Sequence, residues 1–455
     1  MTIDTINPAT GQLIHTYQEM NGNEVDNIIN ATHQSYLSWS QTSFTHRKSL
    51  MLKAAEVLNT NKFDYANIIT AEMGKPITQS LAEVEKCIWC CQHYAENAES
   101  YLQDRIIKTE SYKSYVTYQP LGIVFAIMPW NFPFWQVFRF ICPTMMAGNA
   151  GLLSHAPIST GTSLAIEEIL VKAGFPNNIF RSLVINNDIA AQVIKHPRVI
   201  AVTLTGSERA GSIVGANAAK NLKKVVLELG GSDAYIICDD ADLDLAADQI
   251  VASRMSNTGQ VCIAAKRIIA TRDTLAELEI KILAKLQNYI MGDPKDPNCT
   301  FGPMAREDLR MELHQQVHKS IEQGAELVTG GQLPEGNGFY YPATMLKNVK
   351  PGMEAFEREL FGPVVTLIEA NNLEHALELA NQSDYGLGAA IFTKDLELGE
   401  KIAREKLQAG ACFVNGLVGS DPRLPFGGIK LSGYGRELSS EGIREFVNTK
   451  TVVVK

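Results

Sequence analysis

No stretch of this chain is apolar for the roughly 18 residues that a membrane-spanning helix needs, so no bilayer span is expected. A basic excess is missing too. The formal charge of −9 argues against a nucleic-acid-binding face. The opening residues, "MTIDTINPATG", lack the basic region and apolar segment of a secretory signal. The eight cysteines are scattered, and without such a signal they read as reduced thiols of a cytoplasmic protein. Neither an internal repeat nor a low-complexity linker is visible.

A metal site is not expected. "CIWCCQH" brings Cys87, Cys90, Cys91 and His93 together, but zinc would require a second ligand pair, and none is evident. Val84, Cys87, Cys91 and Tyr94 recur at helical spacing, which predicts one buried face of a helix.

What the chain has is length and alternation. Its 455 residues, 45% of them apolar, suffice for two or more domains with large cores. The first hundred residues read as helices, one of them ending at Gly74 ahead of Pro76. Strands and helices then alternate. "GIVFAIM" (122–128) is continuously apolar, as in a parallel strand covered on both faces. A helix from about Phe134 to Ala147 follows. Then come strands in "GLLS", "IFRSLVI" and "VIAVTLT", with helices between them. A second series runs through "VVLELGG", "AYIIC", "VVTLIEA" and "GAAIFT". This order predicts an α/β fold with a doubly wound parallel sheet and a ligand site beyond the carboxyl ends of its strands. "TGSERAG" stands at such an end. Gly206 and Ser207 before a helix start suit a phosphate, although the G-x-G-x-x-G dinucleotide fingerprint is absent and a plain tight turn fits equally. The tail "FVNTKTVVVK" reads as an edge strand able to join another subunit's sheet.

Three polar residues stand where a strand or helix meets glycine or proline: Asn131 in "MPWNFPFW", Glu228 in "LELGG" and Cys262 in "NTGQVC". Each has an ordinary reading, as a turn residue, a solvated strand end and a small core residue. Together they supply an amide donor, a base and a nucleophile, a set suited to covalent catalysis at a carbonyl.

The motifs "INPATG", "PWNFP", "TGS", "LELGGSD", "GQVC", "ELFGP" and "PFGGIKLSGYGRE" run the length of the chain. With them the chain resembles the aldehyde dehydrogenase superfamily. Through "MPWNFPFWQVFR", "ELGGSD" and "SDPRLPFGG" it is most similar to bacterial succinate-semialdehyde dehydrogenases. The resemblance implies a Rossmann-type cofactor domain (1–108 and 124–229), an α/β catalytic domain (230–430) and a small β oligomerisation element (109–123 and 431–455) of a homodimer or homotetramer. It implies Cys262 as nucleophile, Asn131 and the Cys262 N–H around the oxyanion, and Glu228 as the base that activates water. Gly259 and Gln260 are expected to let the backbone approach the substrate.

For NAD or NADP the resemblance implies contacts from Trp130, Gly206, Ser207, Gly230, Glu359 and Phe361. Ser154 stands where most members have a lysine, and Pro157 where NAD-restricted members often have a glutamate. Pro157 can neither take the ribose hydroxyls nor repel a 2′-phosphate there, while Ser154 and His155 are expected to hydrogen-bond either form of the adenosine ribose. A small-molecule aldehyde is the implied partner. Arg139 and Ser420 match contacts to a substrate carboxylate, with Arg423, Gln136 and Trp135 nearby. Some members carry an arginine six residues before the nucleophile, where this chain has Ser256. A broader aldehyde dehydrogenase, or a silent relative of the same fold, is the alternative.

Overall fold

The computed structural model describes residues 1–455. Two parallel sheets face each other across the chain's middle. In the first, the spatial order is Phe180–Ser182, Ala150–His155, Ile123–Met128, Val199–Thr205 and Lys224–Glu228, all parallel. The chain starts this sheet at its centre, builds outward to one side, then returns and builds to the other. The reversal falls between Ile123–Met128 and Val199–Thr205, where such sheets open a crevice at their carboxyl ends. Gly433–Tyr434 adds antiparallel to the outer edge, opposite Leu227 and Glu228. Part of the C-terminal segment is thus built into the cofactor-type sheet.

The second sheet has seven strands, ordered Glu326–Thr329, Thr344–Lys347, Val364–Ala370, Arg267–Thr271, Ala234–Ile237, Gly388–Phe392 and Ala411–Val414. Only the first pair is antiparallel. The two-residue pleat sorts its side chains into two cores. Ala234 and Ile236 pack on one face, and Tyr235 and Ile237 on the other. Both faces are covered, which is why these strands read as unbroken apolar runs.

The helices Gly22–Trp39, Phe44–Thr60, Lys62–Met73 and Ile77–Tyr101 share one core with the first sheet. Gly74 ends the third of them with φ at +78°, as expected for a left-handed cap. Cys87, Cys90 and Cys91 are fully buried on the fourth. His93 on that helix approaches the Tyr101 hydroxyl at 3.1 Å. One expectation is corrected: the chain begins not with a helix but with a hairpin of Thr2–Ile6 and Leu13–Gln18. The tail strand Val447–Val454 pairs with Lys113–Pro120 along its whole length. No helix is long and apolar enough to cross a membrane.

Candidate active site

The carboxyl ends of the first sheet face the loop that leads into Arg267–Thr271 of the second. Asn131 follows the Ile123–Met128 strand. Cys262 lies in the loop after the helix Leu243–Met255. That loop has an unusual backbone. Asn257, Thr258 and Gly259 take φ of +49°, +56° and +73° in succession. For a β-branched threonine this is a strained conformation, the kind stored at functional sites. A Cβ on Gly259 would lie 2.2 Å from the Gly362 backbone. Gly259 is therefore needed for packing against the Gly362–Pro363 chain rather than for approach to the substrate, which corrects the sequence expectation. The Gln260 side chain is buried between the Asn257 carbonyl and the Ala305 N–H, at 3.1 and 2.9 Å.

Cys262 and Gln136 are the residues that line both of two cavities. One, of about 680 Å³, also has Trp130, Asn131, Gly206, Ser207, Gly230, Glu359 and Phe361 in its walls. The other, of about 320 Å³, has Trp135, Arg139, Ser256, Ser420 and Lys86. Burial pushes the Cys262 thiol up to about 12, opposed by the positive charges of Lys266 and Arg139.

The larger cavity is a cleft that suits a dinucleotide. Ser207 caps the helix Glu208–Lys220, its hydroxyl accepting from the Ala210 N–H at 3.3 Å. The amides of that helix start face the cleft, where they favour an anion. Trp130 and Phe361 meet edge to face, ring centres 5.9 Å apart. Glu359 accepts from the Gly231 N–H at 3.2 Å and pairs with Lys266 at 3.0 Å. A Cβ on Gly230 would sit 2.5 Å from the Glu359 carboxylate, so a larger residue there would have to displace that side chain.

The Asn131 amide donates to the Gln260 carbonyl at 3.1 Å, one residue before Val261 and two before the thiol. The Asn131 carbonyl is held by Lys75 Nζ at 2.9 Å and Asn257 Nδ2 at 2.8 Å. Lys75 is itself ion-paired with Glu83, both fully buried. Glu83 also accepts from the N–H groups of Phe134 and Trp135, where the helix Trp135–Met146 starts. One buried pair thus fixes both ends of the Asn131 turn.

Glu228 is placed differently. Its carboxylate is in the wall of neither cavity, and both oxygens lack a hydrogen-bond partner. It points toward Gly427, whose added Cβ would meet Oε1 at 2.7 Å. Burial, and next the Glu437 carboxylate, raise its pKa well above the usual range, against the opposing charges of Arg139 and Arg436.

Besides Glu228, four residues named from the sequence stand outside these cavities. His155 has no ring nitrogen left for a ribose: Nε2 donates to the Pro133 carbonyl and Nδ1 accepts from the Ala156 N–H, each at 2.9 Å. Burial draws its pKa down to about 4, so the ring is neutral. It braces the Pro129–Pro133 turn, which corrects the expected ribose contact. Arg423 is corrected as well. It pairs with Asp421 at the surface and lies over Trp89, away from Ser420's cavity. Ser154 and Pro157 flank His155 at the end of the Ala150–His155 strand, beyond the cleft wall. Lys75, Glu83, Lys86 and Lys266 were not singled out from the sequence.

Comparison with known proteins agrees with this geometry. The model of the aldehyde dehydrogenase family matches residues 1–452. The chain belongs to the aldehyde dehydrogenase family, a class of oxidoreductases. Its full-length relatives include a probable succinate-semialdehyde dehydrogenase [NADP(+)] of Synechocystis sp., 45% identical over 99% of both chains. The succinate semialdehyde dehydrogenase [NAD(P)+] of Escherichia coli is 44% identical, over 98% of this chain and 97% of its own. Among solved structures, the Streptococcus pyogenes succinic semialdehyde dehydrogenase in complex with NADP+ superposes with a TM-score of 0.97 at 35% identity, covering 99% of each chain.

Proposed function

We propose that this chain oxidises aldehydes with a terminal carboxylate, succinate semialdehyde foremost, to the corresponding acids with NAD or NADP. The observation that carries the reading is the position of Cys262. Its thiol joins a cleft built for a dinucleotide to a mostly apolar cavity with Arg139 and Ser420 in its wall. Such a cavity suits a short carbon chain ending in an anion, because a guanidinium binds a carboxylate with paired N–H donors.

In this reading Cys262 gives up its proton to solvent through the cavity, its thiolate sulfur attacks the aldehyde carbon, and the carbonyl electrons move onto oxygen. The Asn131 side-chain amide and the Cys262 N–H hold that oxyanion, a donor pair whose members are each worth about 3–4 kcal/mol in the transition state. A bound nicotinamide supplies the hydride acceptor. Gly230, Glu359, Phe361, Trp130, Gly206 and Ser207, which line the cleft, would hold it, and the aldehyde hydrogen would leave as hydride to it while the carbonyl re-forms. A thioester remains on Cys262. Glu228, swung from its place beside Gly427, takes a proton from water as the water attacks the acyl carbon, and the carbon–sulfur bond breaks to release the acid and return the Cys262 thiolate.

The domain division read from the sequence is proposed in the same sense, with Gly433–Tyr434 counted in the cofactor domain. So are a homodimer or homotetramer joined through the outer edge of Val447–Val454, and a cytoplasmic setting for the eight free thiols. Reduced-cofactor formation across aldehydes with and without a terminal carboxylate tests the activity. Preference for succinate semialdehyde over butanal is expected. Equal or better use of butanal would overturn the substrate reading.

A further inference from the structure

The helix Ile77–Tyr101 closes one side of the smaller cavity, and Lys86 projects from it. Its ammonium donates to the Ser420 hydroxyl at 2.8 Å and lies over the Trp135 ring, 4.4 Å from the centroid. No carboxylate pairs with it. Lys75 and Lys266, the two fully buried lysines close by, are each ion-paired with a glutamate. Arg139, in the same cavity wall, is already balanced by Glu437. The cavity therefore holds one half-buried ammonium whose contacts are a hydroxyl and an aromatic face. A partly desolvated charge in that state is stabilised when an anion joins it.

We propose that Lys86 is a specificity-determining residue, whose ammonium takes the carboxylate of an ω-carboxylic aldehyde together with the Ser420 hydroxyl. This rests on the substrate reading above. It assigns the recognition of the far end of the substrate to a helix of the first hundred residues, distinct from the Arg139 helix. Arg139 then has two partners to serve, Glu437 and the substrate, while Lys86 has one.

A pH dependence follows. Burial, and then the nearby Arg139, lower the Lys86 pKa to about 8. Glu83, Cys87 and Cys90 face it from its own helix, and Arg139 from the Trp135–Met146 helix. Of these, Glu83 is neutralised by Lys75, burial holds the Cys87 thiol well above its usual range, and a guanidinium stays charged throughout. The ammonium is thus lost as pH rises through about 8. The KM for a carboxylated aldehyde should climb there, and the KM for a neutral one should not.

The test is steady-state kinetics of the full-length enzyme, its Lys86→Met variant and its Lys86→Arg variant, on succinate semialdehyde and on butanal. The Met variant should lower the ratio of kcat/KM between the two substrates by about tenfold or more, the size of one charged hydrogen bond, with the loss in KM. The Arg variant should recover most of it. A wild type that prefers succinate semialdehyde, with the same preference kept in Lys86→Met, overturns the role of Lys86 alone. Equal losses on both substrates would make Lys86 structural and overturn it too. A wild type with no preference overturns both this and the substrate reading. If Lys86→Met does not fold, the Arg variant and the wild-type pH profile decide: a KM for succinate semialdehyde that stays level through alkaline pH contradicts the proposal.

Discussion

Arg139 and Glu437 form a buried ion pair, and Glu228 lies in the field of both. The guanidinium also stacks on Phe426, 4.8 Å from the ring centre. One cation therefore serves two carboxylates and borders the cavity that Cys262 shares. Its loss should be felt at both ends of the reaction.

Arg139→Ala is accordingly expected to impair all substrates, and succinate semialdehyde most. Removing one partner of a buried pair leaves Glu437 uncompensated and raises the Glu228 carboxyl further, which lowers kcat for butanal as well. On succinate semialdehyde an added KM penalty of about 1.5–3 kcal/mol is expected, roughly ten- to a hundredfold. Kinetics on both aldehydes check this. Unchanged butanal turnover would separate Arg139 from Glu228.

Burial, and next the Glu437 carboxylate, raise the Glu228 carboxyl well above the usual carboxylate range, so at a given pH less of it is ionised than of an exposed glutamate. A base must be ionised to take a proton from water. The fraction competent to hydrolyse the thioester therefore grows as pH rises, and kcat should climb with pH over a range displaced upward from that of an exposed glutamate. Glu228→Gln should remove that climb and show a burst of reduced cofactor followed by slow turnover. A wild-type kcat that is level across this range would contradict the assignment.

Cofactor choice is expected to be loose. Ser154 offers no positive charge to a 2′-phosphate, Pro157 offers no carboxylate to repel one, and His155 is fully bonded within the protein. Both cofactors should work, with kcat/KM values within about a hundredfold of each other. Ser154→Lys should improve NADP more than NAD. Steady-state kinetics with both cofactors measure this, and a larger gain for NAD would contradict it.

The elements most legible in the sequence are the strands covered on both faces. Ile123–Met128 and Val199–Thr205 are apolar almost throughout because all their side chains but Ile127 and Ile200 are buried. The opening hairpin was not legible, since Leu13–Gln18 is almost wholly exposed and shows no apolar face. The strand read in "IFRSLVI" is shorter than expected. Only Phe180–Ser182 is paired in the sheet, and Leu183–Ile185 are buried outside it. In the site, Cys262, Asn131 and the cleft glycines stand at chain turns, where type and position carry a signal. Glu83 and Lys86 do not; Lys75 does, between Gly74 and Pro76, but a lone lysine in a turn reads as solvated. Charged residues on a helix usually mark a solvated face, and only the packing of this helix against the Cys262 cavity shows otherwise. The one available hint is spacing: Glu83 lies four residues from Cys87 and seven from Cys90, inside the helix's apolar stripe.

The central claim is that an acyl group passes through the Cys262 sulfur, and it can be seen directly. Glu228→Gln enzyme should be mixed with succinate semialdehyde and NADP, quenched with acid after the burst, digested and measured by mass spectrometry. The account predicts a succinyl group on the peptide containing Cys262, in proportion to the reduced cofactor formed, and none in Cys262→Ala. Reduced cofactor accumulating while Cys262 stays unmodified, or undiminished turnover in Cys262→Ala, would contradict it.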